Sequence, residues 1–188
     1  MADRPAPPIP FLPDVRRVIT GHDSEGKAIV IKDEVVEPTF WSPQGVNAVH
    51  EFYRTEETPA VIDSEVTGEW VDHIASKRAL VSPNGSTFRS IDLAPGEVVP
   101  MHRTGSIDYA IVVKGSVVLV LDDGERRVLK EGDVVVQRGT NHSWINETDD
   151  WSRTYFVVID AQPIKVKGEE LLVVNIDPQN PLKVDSAK

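Results

Sequence analysis

Gly96-Glu97-Val98-Val99-Pro100-Met101-His102-Arg103-Thr104-Gly105-Ser106-Ile107-Asp108-Tyr109-Ala110-Ile111-Val112-Val113-Lys114-Gly115 is the stretch that decides the fold of this chain. Its apolar, β-branched residues come in runs of strand length, interrupted by Gly105-Ser106 and closed by Lys114-Gly115. Residues two apart on a strand share a face, so His102 and Thr104 project together, and Asp108 rejoins that side after the Gly105-Ser106 irregularity. A second stretch, Gly132-Asp133-Val134-Val135-Val136-Gln137-Arg138-Gly139-Thr140-Asn141-His142-Ser143-Trp144-Ile145-Asn146, ends a strand in a turn that presents another imidazole, His142. The two stretches are spaced like neighbouring strands of one barrel.

Working outward, strand-like segments recur at 88–93, 108–113, 116–121, 126–129, 133–137 and 154–159. Pro95-Gly96, Lys114-Gly115, Asp122-Asp123-Gly124 and Glu131-Gly132 supply the turn dihedrals that tight β connections need. Short strands at such intervals predict an all-β sandwich or barrel rather than alternating βαβ units. Upstream, 15–20 and 28–31 flank a turn at His22-Asp23-Ser24-Glu25-Gly26 and predict a hairpin. Between 38 and 67 the pattern is illegible apart from a strand around 49–53, and 171–176 reads as a late edge strand. Five of the 14 prolines fall between Pro5 and Pro13, which predicts an extended arm able to wrap a neighbouring subunit. The expected organisation is an arm over 1–14, a single domain over 15–176 with its motif core at 88–160, and a polar tail over 177–188.

The chain has 188 residues, room for one domain with a self-sufficient core. Its formal charge of -10, from 20 basic against 30 acidic residues, disfavours nucleic acid and anionic lipid as partners. The absence of cysteine excludes disulfides, zinc fingers, Fe–S clusters and a thiol nucleophile, so any metal must rest on His and carboxylate ligands. No apolar run approaches the roughly 18 residues of a membrane span, and no signal core follows Met1, so a cytoplasmic protein is expected. Asn84-Gly85-Ser86 and Asn146-Glu147-Thr148 read as turns rather than glycosylation sites. Gly21-His22-Asp23-Ser24-Glu25-Gly26-Lys27 mimics a phosphate-binding loop, yet Ala28 stands where Ser or Thr would hold magnesium, and a β-branched strand follows instead of a helix. No nucleotide binding is expected there.

The two quoted stretches resemble the paired motifs of the cupin superfamily. Gly96, His102, Asp108 and Gly115 fall on the first motif, with Thr104 at its second His position and Asp108 at its Glu position. Gly132, Gly139, His142 and Asn146 fall on the second, with one residue fewer after Gly132 and Gln137 in place of Pro. The run His-Arg-Thr, then Ser, then Asp-Tyr is similar to small fungal and bacterial cupins found near natural-product tailoring pathways. The resemblance implies a jelly-roll β-barrel with a site in its mouth, and a metal held by His and carboxylate. Cupins generally use three His and one Glu; here Thr104 is a poor ligand and Asp108 is one carbon shorter. The remaining set, His102, Asp108 and His142, suits a divalent ion such as Fe, Mn or Zn with open positions. Alternatively, the imidazoles form acid/base pairs with Asp108 in a metal-free pocket.

Around this set, Tyr109 and Arg103 alternate away from the pocket, the first as a structural aromatic and the second in a surface or interface ion pair. Trp144 is expected to wall the pocket, while Trp41, Trp70 and Trp151 are expected as core or interface anchors. His22, His50 and His73 lack ligand-spaced partners and are expected in turns or on the surface. The resulting reading is a divalent-metal-dependent lyase, a dehydratase or decarboxylase, acting on an oxygen-rich carbonyl or polyketide-like compound. A non-haem iron dioxygenase and a non-catalytic small-molecule-binding barrel are the alternatives. A homodimer is expected because the exposed edges of an open β-structure need covering.

Overall fold

The computed structural model describes residues 11–41, 46–62, 72, 74, 79–177 and 180–186, and the described residues contain strands but no helix. Two sheets face each other. The larger is built from β3 (Thr39–Trp41), β4 (Asn47–Thr55), β5 (Ser86–Leu93), β7 (Ser106–Lys114), β10 (Val134–Arg138) and β12 (Ser152–Asp160), in the order β10-β7-β12-β5-β4-β3. The smaller contains β6 (Val98–His102), β8 (Ser116–Leu121), β9 (Arg126–Lys130) and β11 (His142–Ile145), in the order β6-β11-β8-β9. The pairings within both sheets are antiparallel. This is the all-β barrel predicted from the turn-punctuated runs, with strand ends shifted by at most two residues.

Leu93, Val99, Ala110, Val112, Val117, Trp144, Phe156 and Val158 form one buried core drawn from both sheets. Each side chain of this size contributes about 1.5–3 kcal/mol when fully buried. Along β7 the inward residues change character. Ser106 and Asp108 are buried and polar, Ala110 and Val112 buried and apolar, while Tyr109, Ile111 and Val113 face outward. One end of the interior is therefore a hydrophobic floor and the other a polar pocket. Gly115 turns β7 into β8 with φ 71°, and a Cβ there would lie 2.6 Å from the Trp151 carbonyl oxygen, so only glycine fits.

The predicted hairpin is β1 (Val15–His22) paired with β2 (Ala28–Val36). Its turn is closed by the Asp23 carboxylate, which accepts the N–H groups of Glu25 and Lys27, so the phosphate-loop mimic is a hairpin turn entering a strand. Arg17 reaches from β1 to the Phe52 carbonyl at 2.7 Å, docking the hairpin on β4. Phe11, from the end of the predicted arm, packs on Phe40 and on Trp151, itself 1% exposed, within its own chain. Residues 1–10, Trp70 and His73 lie outside the described residues.

Two expectations are corrected. His50 is not a turn or surface residue: it is 1% exposed, its Nδ1 meets Ser90 Oγ at 3.1 Å, and its Nε2 lies 3.6 Å from Asp14. Asp14, just ahead of the hairpin, lies against a strand face that the sequence pattern leaves open. Within 177–188, β16 (Asn180–Ser186) pairs with β15 (Val174–Asp177), after the short β13 (Lys165–Val166) and β14 (Glu169–Glu170) hairpin. The expected late strand at 171–176 begins only at Val174, where a backbone bridge to Arg103 ties it to the barrel mouth. No helix of the described residues is long and apolar enough to cross a membrane.

Candidate functional site

His102 ends β6 and His142 begins β11, and the two are direct cross-strand partners in the smaller sheet. Their ring centroids are 4.1 Å apart, tilted by 53°. Each ring is fixed by its own chain: His102 Nδ1 lies 2.8 Å from the Pro100 carbonyl, and His142 Nδ1 lies 2.9 Å from the Thr140 carbonyl. A carbonyl only accepts, so each Nδ1 carries the proton and each Nε2 of the neutral ring keeps a lone pair. Burial lowers both imidazoles below the ordinary range, and for His142 the neighbouring His102 adds to burial and takes the value to about 3. Trp144 backs this pair from the core, edge-on to His142 at 6.3 Å, rather than walling the cavity.

Asp108 stands on the facing sheet. Its Oδ1 accepts from Ser106 Oγ at 2.6 Å and its Oδ2 accepts from Gln137 Nε2 at 2.8 Å. Ser106 Oγ is also 2.8 Å from Thr104 Oγ1. A hydroxyl has one proton, so while Ser106 gives its proton to Asp108, Thr104 must supply the proton of the second bond. Burial raises the Asp108 carboxyl above the ordinary aspartate range; the Ser106 and Gln137 bonds and the nearby Arg89 charge oppose that rise.

Across β5 and β4, Arg89 Nη2 meets Glu51 Oε1 at 2.5 Å, in the register that pairs these residues. Both line the cavity that also contains His102, Thr104, Ser106 and Ile91. Its volume of about 1650 Å³ exceeds the range of about 300–1,000 Å³ common for ligand pockets, leaving room for more than a two- or three-carbon acid.

The structure thus brings His102 and His142 together, with Thr104 buried nearby, and holds Asp108 in a separate hydrogen-bonded network. The imidazole pair fits a divalent cation, because metal-bound histidines characteristically donate their other ring N–H to a carbonyl. Among the described residues, no group of three His, Asp or Glu side chains is already gathered in the arrangement of a metal site. Tyr109 faces outward at 44% exposure, as expected. Arg103 lies 3.7 Å from Asp122, the expected ion pair, and also donates to the Leu172 carbonyl.

A cupin-domain family model matches residues 89–159. The cupin-domain-containing oxidoreductase fogC of Aspergillus ruber is 36% identical over 169 residues, covering 87% of this chain and 81% of that protein. The chain belongs to the cupin family. Phomopsin biosynthesis cluster protein D of Diaporthe leptostromiformis is 38% identical over 169 residues, 86% of this chain and 87% of the relative. The cupin-domain-containing oxidoreductase virC of Hypocrea virens is 36% identical over 168 residues, 88% of this chain and 86% of the relative.

In this cupin, four polar groups of the interior escaped the sequence reading: Glu51, Arg89, Ser106 and Gln137. Gln137 was visible only as a replacement for proline, whereas its register partner is Asp108 itself. Strand alternation placed Ser106 beside Asp108 on one face, a usable signal. Arg89 and Glu51 lie before the first motif, where nothing marks one strand residue as inward.

Proposed function

We propose that this cupin is a small-molecule enzyme of the natural-product tailoring kind, carrying out lyase chemistry on an oxygen-rich carbonyl compound, with Asp108 moving the proton. The supporting observation is the placement of Asp108: a buried carboxyl oriented by Gln137 and by Ser106, which itself lines the cavity. A carboxyl raised by burial is a better base than ordinary aspartate and a readier acid near neutrality. Asp108 takes the proton α to the substrate carbonyl and returns it to a departing hydroxyl. The carbon–oxygen bond breaks, water leaves, and a double bond conjugated to the carbonyl remains. Gln137 keeps the acting oxygens aimed, and the Thr104–Ser106 chain stabilises the carboxylate while it is charged.

His142, held near 3, is a poor proton carrier at neutral pH, so the imidazole pair is better suited to ligation, which uses the neutral ring. A divalent ion such as Fe, Mn or Zn would be held by His102 and His142 through Nε2, and would supply Lewis acidity or, for iron, electrons. A second reading, oxidation of the substrate, is favoured by the naming of two relatives as cupin-domain-containing oxidoreductases.

The deciding experiment measures metal content and turnover of candidate carbonyl substrates, with and without oxygen, for wild type, Asp108→Asn, His102→Ala and His142→Ala. Asp108→Asn is expected to keep its metal and lose roughly 10²- to 10⁴-fold in rate, while the histidine variants lose metal. Turnover that stops without oxygen and consumes it would establish the oxidative reading. Full activity of Asp108→Asn would refute the proton-transfer role, and ligand binding with no turnover under any condition would leave a binding barrel.

A further inference from the structure

Arg89 is buried in the barrel wall, with a side chain 12% exposed, and it lines the same cavity as His102. A guanidinium presents five N–H donors. Arg89 gives Nη2 to Glu51, its Nε has no hydrogen-bond partner, and Asp108 acts on it only through its charge. The other cavity cations are exposed or paired elsewhere: Arg138 stands exposed to solvent at the end of β10. Arg17 and Lys32 are paired with Glu34 and Asp72 on and beside the hairpin, and Arg103 is bonded to Leu172 and faces Asp122. Arg89 is thus a largely buried cation on the wall of the cavity that His102 also lines, only partly satisfied by its counter-ion.

We propose that Arg89 is the anchor for a carboxylate on the substrate, so that the compounds taken by this cupin are organic acids whose reacting carbonyl lies toward His102. This rests on the reading of the barrel mouth as the substrate site, and it adds the charge of the ligand. Arg is suited to the role because its planar fork matches a carboxylate in two parallel bonds, which fixes orientation as well as position. Glu51 is the resident counter-ion: it occupies one edge of the fork in the free protein and competes with the incoming anion. The size of the cavity leaves space beyond the anchored acid for a bulky ring system.

The test is equilibrium binding, independent of turnover, with 2-naphthoate as probe and 2-naphthamide as its neutral isostere. Wild type is expected to bind naphthoate at least tenfold more tightly than naphthamide. Arg89→Met is expected to remove that preference while leaving naphthamide within about twofold. Glu51→Gln, which removes the competing charge and keeps the cation, is expected to tighten naphthoate severalfold. Because Arg89→Met leaves Glu51 buried without its partner, the double variant Arg89→Met/Glu51→Gln, checked by circular dichroism, gives the same comparison in a neutral pocket. His102→Ala should retain the preference, which separates failure of the anchor from failure of the catalytic reading. Equal wild-type affinity for the two probes, or a preference surviving in the double variant, would overturn the proposal.

Discussion

Gln137 holds the Asp108 carboxylate from one side while Ser106 holds it from the other. Replacing Gln137 with Leu leaves one buried carboxylate oxygen without its donor, which costs about 1–3 kcal/mol. The same loss makes the charged form harder to keep, so the Asp108 pKa moves up further from its already raised position. Urea denaturation should show the lower stability, and the acidic limb of the pH–rate profile should move to higher pH. An unchanged limb would mean that Asp108 does not set it. The same logic explains why Thr104 is tolerated where the family pattern has a histidine. Its hydroxyl ends a hydrogen-bonded chain running through Ser106 to Asp108, a job no ligand count would suggest.

Turns are where elements acquire their geometry, and Gly115 and Gly124 provide a controlled comparison. Both have positive φ, 71° and 85°, but a Cβ at Gly115 would strike the Trp151 carbonyl at 2.6 Å, whereas at Gly124 nothing lies within 4 Å. Gly124→Ala should cost about 1 kcal/mol from backbone strain alone, and Gly115→Ala roughly 1–3 kcal/mol more. Equal losses in denaturant melts would show that the close approach at the β7–β8 turn relaxes freely. Elements with strong alternation and glycine turns, from β7 to β12, were legible from sequence because period and punctuation agree. His102, Asp108 and His142 were legible for the same reason. The bond from Gln137 to Asp108 was not, because it depends on which strands pair, and a strand's sequence does not state its partner. His50 was misread because the groups that meet it, Asp14 and Ser90, are remote in sequence.

At the scale of the whole molecule, three buried histidines govern stability in mild acid. Burial holds His50, His102 and His142 below their ordinary pKa of 6.5, with His142 at about 3. Below pH 6.5 the unfolded chain therefore binds protons that the native state refuses, and each such histidine removes up to about 1.4 kcal/mol per pH unit until its folded pKa is reached. Asp108 and Glu51, raised by burial, act in the opposite sense from their ordinary carboxylate values up to their raised ones. The melting temperature should fall steadily from pH 7 to pH 5; a flat profile would mean the imidazoles titrate normally in the native state.

The outer face of β7 and the edge strand β10 carries Tyr109, Ile111, Val134 and Val136, 42–67% exposed and side by side in register. We propose that a second copy of the chain covers this face, since β10 ends its sheet and offers an open row of backbone groups to an identical strand. Sedimentation should give twice the 20.8 kDa chain mass at micromolar concentration, and Val134→Glu should give the monomer. A monomeric wild type would overturn the pairing.

The imidazole pair projects from one sheet, and the carboxyl groups with Arg89 project from the other. Substitutions on the inner face of either sheet can therefore alter one set without disturbing the backbone that carries its opposite. A lineage built on this scaffold can exchange its ion-holding groups while retaining its acid-recognising wall, or keep the ion and change the compound. Diversity of product from one barrel then needs no change of fold, only independent drift of two facing surfaces.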